Sequence, residues 1–277
     1  MADEGPWPIS DDLVQLHNAA WTYAVNIQAG SAAKQEKTAE GPLAHSALAS
    51  LHRTAIVLHC SVRSLCEAGW TQVTPILIRT LLDVIVNVYA IAIKQEDSEY
   101  MAFKFLCSDF VKLVQDTDTA EEVRKHDQEQ LDRMRRVLKG ADVKRVDDFI
   151  ANFKPVPYWF RPEFSSPGTI FREKIPRLFD MYRQFSGSTH ASLIGSLLFS
   201  DTPDAPSINP AQNPIRTASA IVSSSRLLID ISWGRAEFDG FADTEEYKFL
   251  VKTLVLPLRE KVEAKVSTGT STPQPTS

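Results

Sequence analysis

The stretch YRQFSGSTH, residues 182 to 190, brings a tyrosine, an arginine, two serines, a threonine and a histidine together in nine positions. Tyr182, Ser186 and His190 are spaced by four and drift slowly round a helix. Arg183 and His190 are spaced by seven, close to two turns, and lie almost one above the other. If helicity survives Gly187, the arginine, the histidine and the hydroxyls point one way. Histidine exchanges a proton near neutral pH, arginine holds a phosphate by two parallel bonds, and serine can position either. Such a set suits cleavage of a phosphodiester without metal. The plainer expectation is a helix junction in which Ser186 caps a following helix and His190 is packed.

Three more polar residues stand at four-residue spacing in the apolar run ILIRTLLDVIVNVYAIAI: Arg79, Asp83 and Asn87. They form one stripe on an otherwise oily cylinder, and charges in such a setting need partners. Either an Arg79–Asp83 pair fixes the register of the bundle, or the stripe faces a polar cavity shared with the Tyr182–His190 helix. His52 and His59 are seven apart, but Arg63 stands where a metal site would need an acid or thiol, so no metal is expected. Trp159, Phe160 and Phe164 lie in a proline-rich stretch and read as a plug on the core or an aromatic lid over a pocket. There is no glycine-rich phosphate loop, no HExxH, no GxSxG elbow and no Cys/His zinc spacing. ATP hydrolysis, NAD chemistry and zinc hydrolysis by standard parts are therefore disfavoured, and no cofactor is expected.

Helical periodicity runs through almost the whole chain. It predicts helices from Asp11 to a stop at Gly30, from Pro42 to Ala68 with Gly69 as terminator, and over residues 71–94 as a central helix apolar nearly all round. Further helices are expected over 98–115, over 119–139 opening on a Thr119/Glu122 capping box, and over 143–152. The proline- and aromatic-rich residues 154–168 cannot be regular helix. Beyond them come 169–185 with a break at Pro176, 188–199, 215–233 and 244–265. The expectation is an all-α fold, a single bundle of about nine to ten helices over 11–265, with a flexible N-terminus 1–10 and a disordered tail 266–277.

A formal charge of −5 disfavours attraction of nucleic acid by the overall field, though a local basic patch could still act. Cys60, Cys66 and Cys107 sit in apolar helical context without zinc-like pairing and read as reduced thiols of a cytoplasmic protein. The first ten residues, MADEGPWPIS, lack the basic and apolar regions of a signal peptide. The run 76–93 is nearly long enough to span a bilayer, but Arg79, Asp83 and Asn87 make a buried core helix the expectation.

The segments AGWTQVTPILIRTLLDVIVNVYAI, FKFLCSDFVKLV, PYWF and YRQFSGSTHAS stand in the order and spacing of an uncharacterised, mainly prokaryotic helical family, domain of unknown function 5677. The chain resembles that family over roughly Leu48 to Ser200. Arg79 and Asp83 match its Arg/acid pair, and Tyr182, Ser186 and His190 match its Tyr, Ser and His. Arg183 and His190 also resemble the Arg-x-His signature of HEPN helical bundles, with Gln184 where Asn or Asp often follows the arginine. That resemblance implies a metal-independent ribonuclease or a nucleotide-binding toxin or phage-defence component, active as a homodimer on RNA or a nucleotide. His190 would be its general acid or base and Arg183 its phosphate clamp, with Ser186, Tyr182, Arg79, Asp83, Asn87 and Trp159 shaping the site. The alternative is a non-catalytic ligand-sensing or interaction module in which the same residues are structural.

Overall fold

A computed structural model describes residues 9–35, 42–92, 95–116, 118–154, 158–189 and 213–269. The fold is all-α, with no strand among the described residues. Helix α1 (Asp11–Gln35) runs past Gly30, where a stop is expected. Tertiary packing overrides the local signal. A Cβ at Gly30 would meet the Phe241 ring at 3.3 Å, so this glycine serves close approach. In the next turn Ser31 donates to Asp239 Oδ2 at 2.5 Å and Lys34 donates to the Asp239 carbonyl, which anchors the extension.

Helix α2 (Pro42–Glu67) starts on its proline. It ends in a Schellman motif: Gly69 has φ 78°, its N–H bonds to Cys66 and that of Trp70 bonds to Leu65. A 3₁₀ turn (Thr71–Val73) leads into α3 (Thr74–Ala92). The span Thr71–Ala92 is long and apolar enough to cross a membrane, yet half of it is buried inside the bundle. Its charged stripe needs water or protein partners, which lipid would not supply.

Helices α4 (Ser98–Gln115), α5 (Glu121–Val137) and α6 (Ala141–Ala151) form a layer beside α2 and α3. The expected Thr119/Glu122 capping box does not form, because the residue preceding α5 is Ala120 and it offers no side-chain cap. Instead the Asp116 carboxylate accepts the Asp118 N–H, an Asx turn that sets the entry to the helix. Pro176 does break the later run, into α7 (Pro167–Lys174), a 3₁₀ turn (Pro176–Leu178) and α8 (Phe179–Thr189). The helix expected over 188–199 and the loop after it lie outside the described residues, apart from Ser188 and Thr189, which belong to α8.

Helix α9 (Pro214–Phe238) is the hub. It packs against α1, α2 and α3 and against the C-terminal segments. Leu227, Leu228, Ile229 and Ile231 are completely enclosed, four of five consecutive positions, which no single apolar face could hold. A second Schellman motif ends it at Gly240, φ 71°. Helix α10 (Thr244–Phe249), capped by the Asp243 carboxylate, passes into a π-helical turn (Leu250–Val255) and then α11 (Leu256–Gly269). Pro257 explains the wider turn, since it has no N–H for the Thr253 carbonyl and its ring crowds that oxygen. Helix α11 continues four residues into the segment expected to be tail.

Candidate functional site

On α3, Arg79, Asp83 and Asn87 keep their four-residue spacing and meet three different partners. Arg79 Nη1 lies 2.6 Å from Asp83 Oδ1. The same guanidinium sits over the Tyr182 ring of α8, 4.9 Å from its centroid, and Tyr182 stacks in turn on Phe171 of α7 at 4.6 Å. One turn beyond Asp83, the Asn87 carbonyl accepts the Trp159 indole N–H at 2.9 Å. The stripe is thus half-buried, along the seam where α7, α8 and the aromatic loop cover α3, and Asp83 keeps about half its side chain in solvent.

The aromatic loop is a plug. Trp159 stands edge-on to Phe105 and Phe160, and Phe160 and Phe164 are buried. Lys104, only 1% exposed, pins it by donating to the Arg161 carbonyl at 2.5 Å and to Glu163 at 2.6 Å. Burial lowers the Lys104 pKa, and the Glu163 carboxylate opposes that shift.

Helix α8 is continuous through Gly187 to Thr189, so the residue expected to interrupt it does not. Tyr182 turns toward α3, whereas Arg183, one step of about 100° further round, is exposed. The structure therefore brings together Arg79, Asp83 and Tyr182, joins Asn87 to Trp159, and sets Arg183 apart from both groups. Ser186 lies within α8 and is not the cap of another helix; its side chain and all of His190 lie outside the described residues.

His52 and His59 point into the core. The two His52 nitrogens lie 3.0 Å from Gln28 Oε1 and 2.9 Å from Ser232 Oγ. His59 reaches Ser224 Oγ at 3.2 Å and the His17 carbonyl at 3.4 Å, and its ring stacks on that of His17 at 4.1 Å. Burial pushes His52 down to about 4, helped by Arg235, and His59 down to about 3, helped by His17 and Arg63. Among the described residues no group of three or more His, Cys, Asp or Glu side chains could hold a metal ion. The three cysteines are free, and burial raises the Cys66 and Cys107 thiols to about 12.

One buried polar cluster was not expected. Asp230 of α9, wholly buried, accepts from Arg177 at 2.8 Å, from Arg226 at 2.7 Å and from the Tyr247 hydroxyl at 2.6 Å. Arg226 also donates to the Tyr247 oxygen at 3.0 Å. Arg177 and Arg226 border a cavity of about 540 Å³ between the start of α8, α9 and the π turn. One available signal was the Arg226/Asp230 spacing, identical to that of Arg79/Asp83. The partnership with Arg177, 53 residues away, has no local signal.

Fold and site together define a helical-bundle protein in which arginine–aspartate pairs one turn apart lock the central helices. The chain belongs to a family of unknown function, DUF5677, whose model matches residues 45–205, more than half its length. No curated protein and no solved structure matches it.

Proposed function

We propose that the protein is a non-catalytic ligand-sensing module. The observation that carries this reading is that the chemistry-bearing side chains of α3 are already engaged: Arg79 between Asp83 and the Tyr182 ring, Asn87 by Trp159. Groups held in this way stabilise the seam between α3 and α8. Arg79→Ala removes a half-buried ion pair and a cation–π contact together, and should cost about 1–2 kcal/mol. In a domain of this size that lowers Tm by about 2–8 °C in differential scanning calorimetry. An unchanged melting curve would remove the support for a structural role.

A second reading has one observation in its favour. Because α8 continues through Gly187, the helical phase of Arg183 is kept for all but the last step toward His190. An HEPN-like ribonuclease, a toxin or phage-defence component working as a homodimer, would use Arg183 on this exposed face to hold phosphate and His190 to move the proton. Purified protein would then cut RNA in the presence of a chelator, and both Arg183→Ala and His190→Ala would abolish the cut. The sensing reading expects intact RNA with all three proteins.

A further inference from the structure

The cavity beside Asp230 is built from residues that neither functional reading uses. Helix α9 presents Ser219, Val222, Ser223 and Arg226 to it, at spacings of three and four that make one stripe. The opposite wall is the π turn and the start of α11, including Val251, Val255 and Val262; the turn into α8 supplies Arg177 and Met181. At about 540 Å³ the space lies within the range of small-molecule sites. Most of the wall area is apolar, and the corner formed by Arg177 and Arg226 is cationic.

That corner carries an excess of donors. Two guanidinium groups share a single carboxylate, Asp230, which is completely buried behind them. Asp230 and Tyr247 engage Nε and Nη2 of Arg226 at 2.7 to 3.3 Å, so its remaining amino group, Nη1, is left out of these bonds. The Asp230 carboxylate thereby fixes both arginines in place, so that little further ordering is needed when a ligand arrives. Of the acidic residues along the wall, Glu263 is held by Arg259 at 2.7 Å and Asp180 is exposed. The π turn, imposed by Pro257, forms one wall of the cavity, and such turns are frequent at functional sites.

We propose that this cavity binds a small amphiphile with an oxyanion head. Arg226 and Arg177 hold the head, Ser223 lies on the same stripe to donate to it, and the apolar body rests on Val222, Val251, Val255 and Met181. The inference deepens the sensing reading by naming its ligand class, and it rests on that reading. Carboxylate and phosphate heads share this chemistry.

Decanoate, decyl phosphate and decanol, kept below their micelle concentrations, separate the sources in isothermal titration calorimetry on the full chain. At least one anion should bind, decanol should bind about tenfold more weakly or not at all, and the tighter anion identifies the head group. Arg177 is partly exposed, so Arg177→Ala leaves the Arg226–Asp230 pair in place and should weaken anion binding about tenfold. Ser223→Trp, which fills the cavity from a half-buried position, should abolish it. No binding by either anion, equal binding of decanol, or anion binding unchanged in folded Arg177→Ala would each overturn the proposal. The RNA assay above reads the sensing hypothesis separately, so a dry cavity in a protein that cuts no RNA defeats the ligand assignment alone.

Discussion

Taking the protein from pH 7 to about pH 4.5 should lower its stability by several kcal/mol, with about 2 kcal/mol from His52 alone. The ordinary imidazole pKa is 6.5, but burial holds His17 and His52 down to about 4 and His59 down to about 3. Arg63 adds to the shift at His17 while Glu67 opposes it. Between those values the unfolded chain binds protons that the folded chain refuses. Stability therefore rises with pH through this window and is lost as pH falls from 6.5 toward 4. Little around the rings offsets the cost of burying charge: the partners are Gln28, two serines and the His17 carbonyl, whose bond favours a charged His59 by less than burial disfavours it, and the rings of His17 and His59 are stacked on each other. Urea unfolding at a series of pH values should show the slope, and His52→Gln should make it shallower, leaving the share of His17 and His59. A stability profile that is level across the window would contradict the buried, neutral state assigned to these rings.

The second large effect is at the end of α9. Asp239→Ala should destabilise the protein by about 3–5 kcal/mol, because it strands a guanidinium with no route to water. Arg235 is 1% exposed, and its Nε lies 2.8 Å from Asp239 Oδ2, which also accepts from Ser31. The Arg235 Nη1 bond to the His45 carbonyl, 3.0 Å, survives the substitution but carries no compensating charge. Tm should fall by about 10 °C or more. The double variant Arg235→Met with Asp239→Ala should recover part of the loss, since no buried ion then lacks its partner. A single-variant loss below about 1 kcal/mol, the size expected of a solvated pair, would show that water reaches the site.

Features set within one or two turns of chain were readable in the sequence. The proline start and glycine end of α2, the break at Pro176 and the one-turn Arg79–Asp83 pairing are of this kind. Features set across the bundle were not. Gly30 carries a stop signal locally, yet the Phe241 ring and the Ser31–Asp239 bond carry the helix onward. Thr119 sits one residue too early to cap α5, an error of register that composition alone does not reveal. The candidate site divides along the same line. Arg79, Asp83 and Tyr182 do meet, but Arg183 lies on another face of the helix it shares with Tyr182, because adjacent residues diverge by about 100°. The Asp230 cluster joins segments 53 and 17 residues apart, and only its Arg226 arm leaves a trace in the spacing.

The π turn before Pro257 also sets a rotational phase. The Leu256 N–H bonds to the Val251 carbonyl, five residues back, so the turn holds one residue more than an α turn. Every side chain downstream is set back by about 100° relative to an unbroken helix. Val262 and Arg259 face the cavity with that offset in place. Removing Lys252, which does not line the cavity, would restore the ordinary winding and rotate the whole of α11 by about 100°, turning its cavity-facing stripe away from α9 without altering one residue of that stripe.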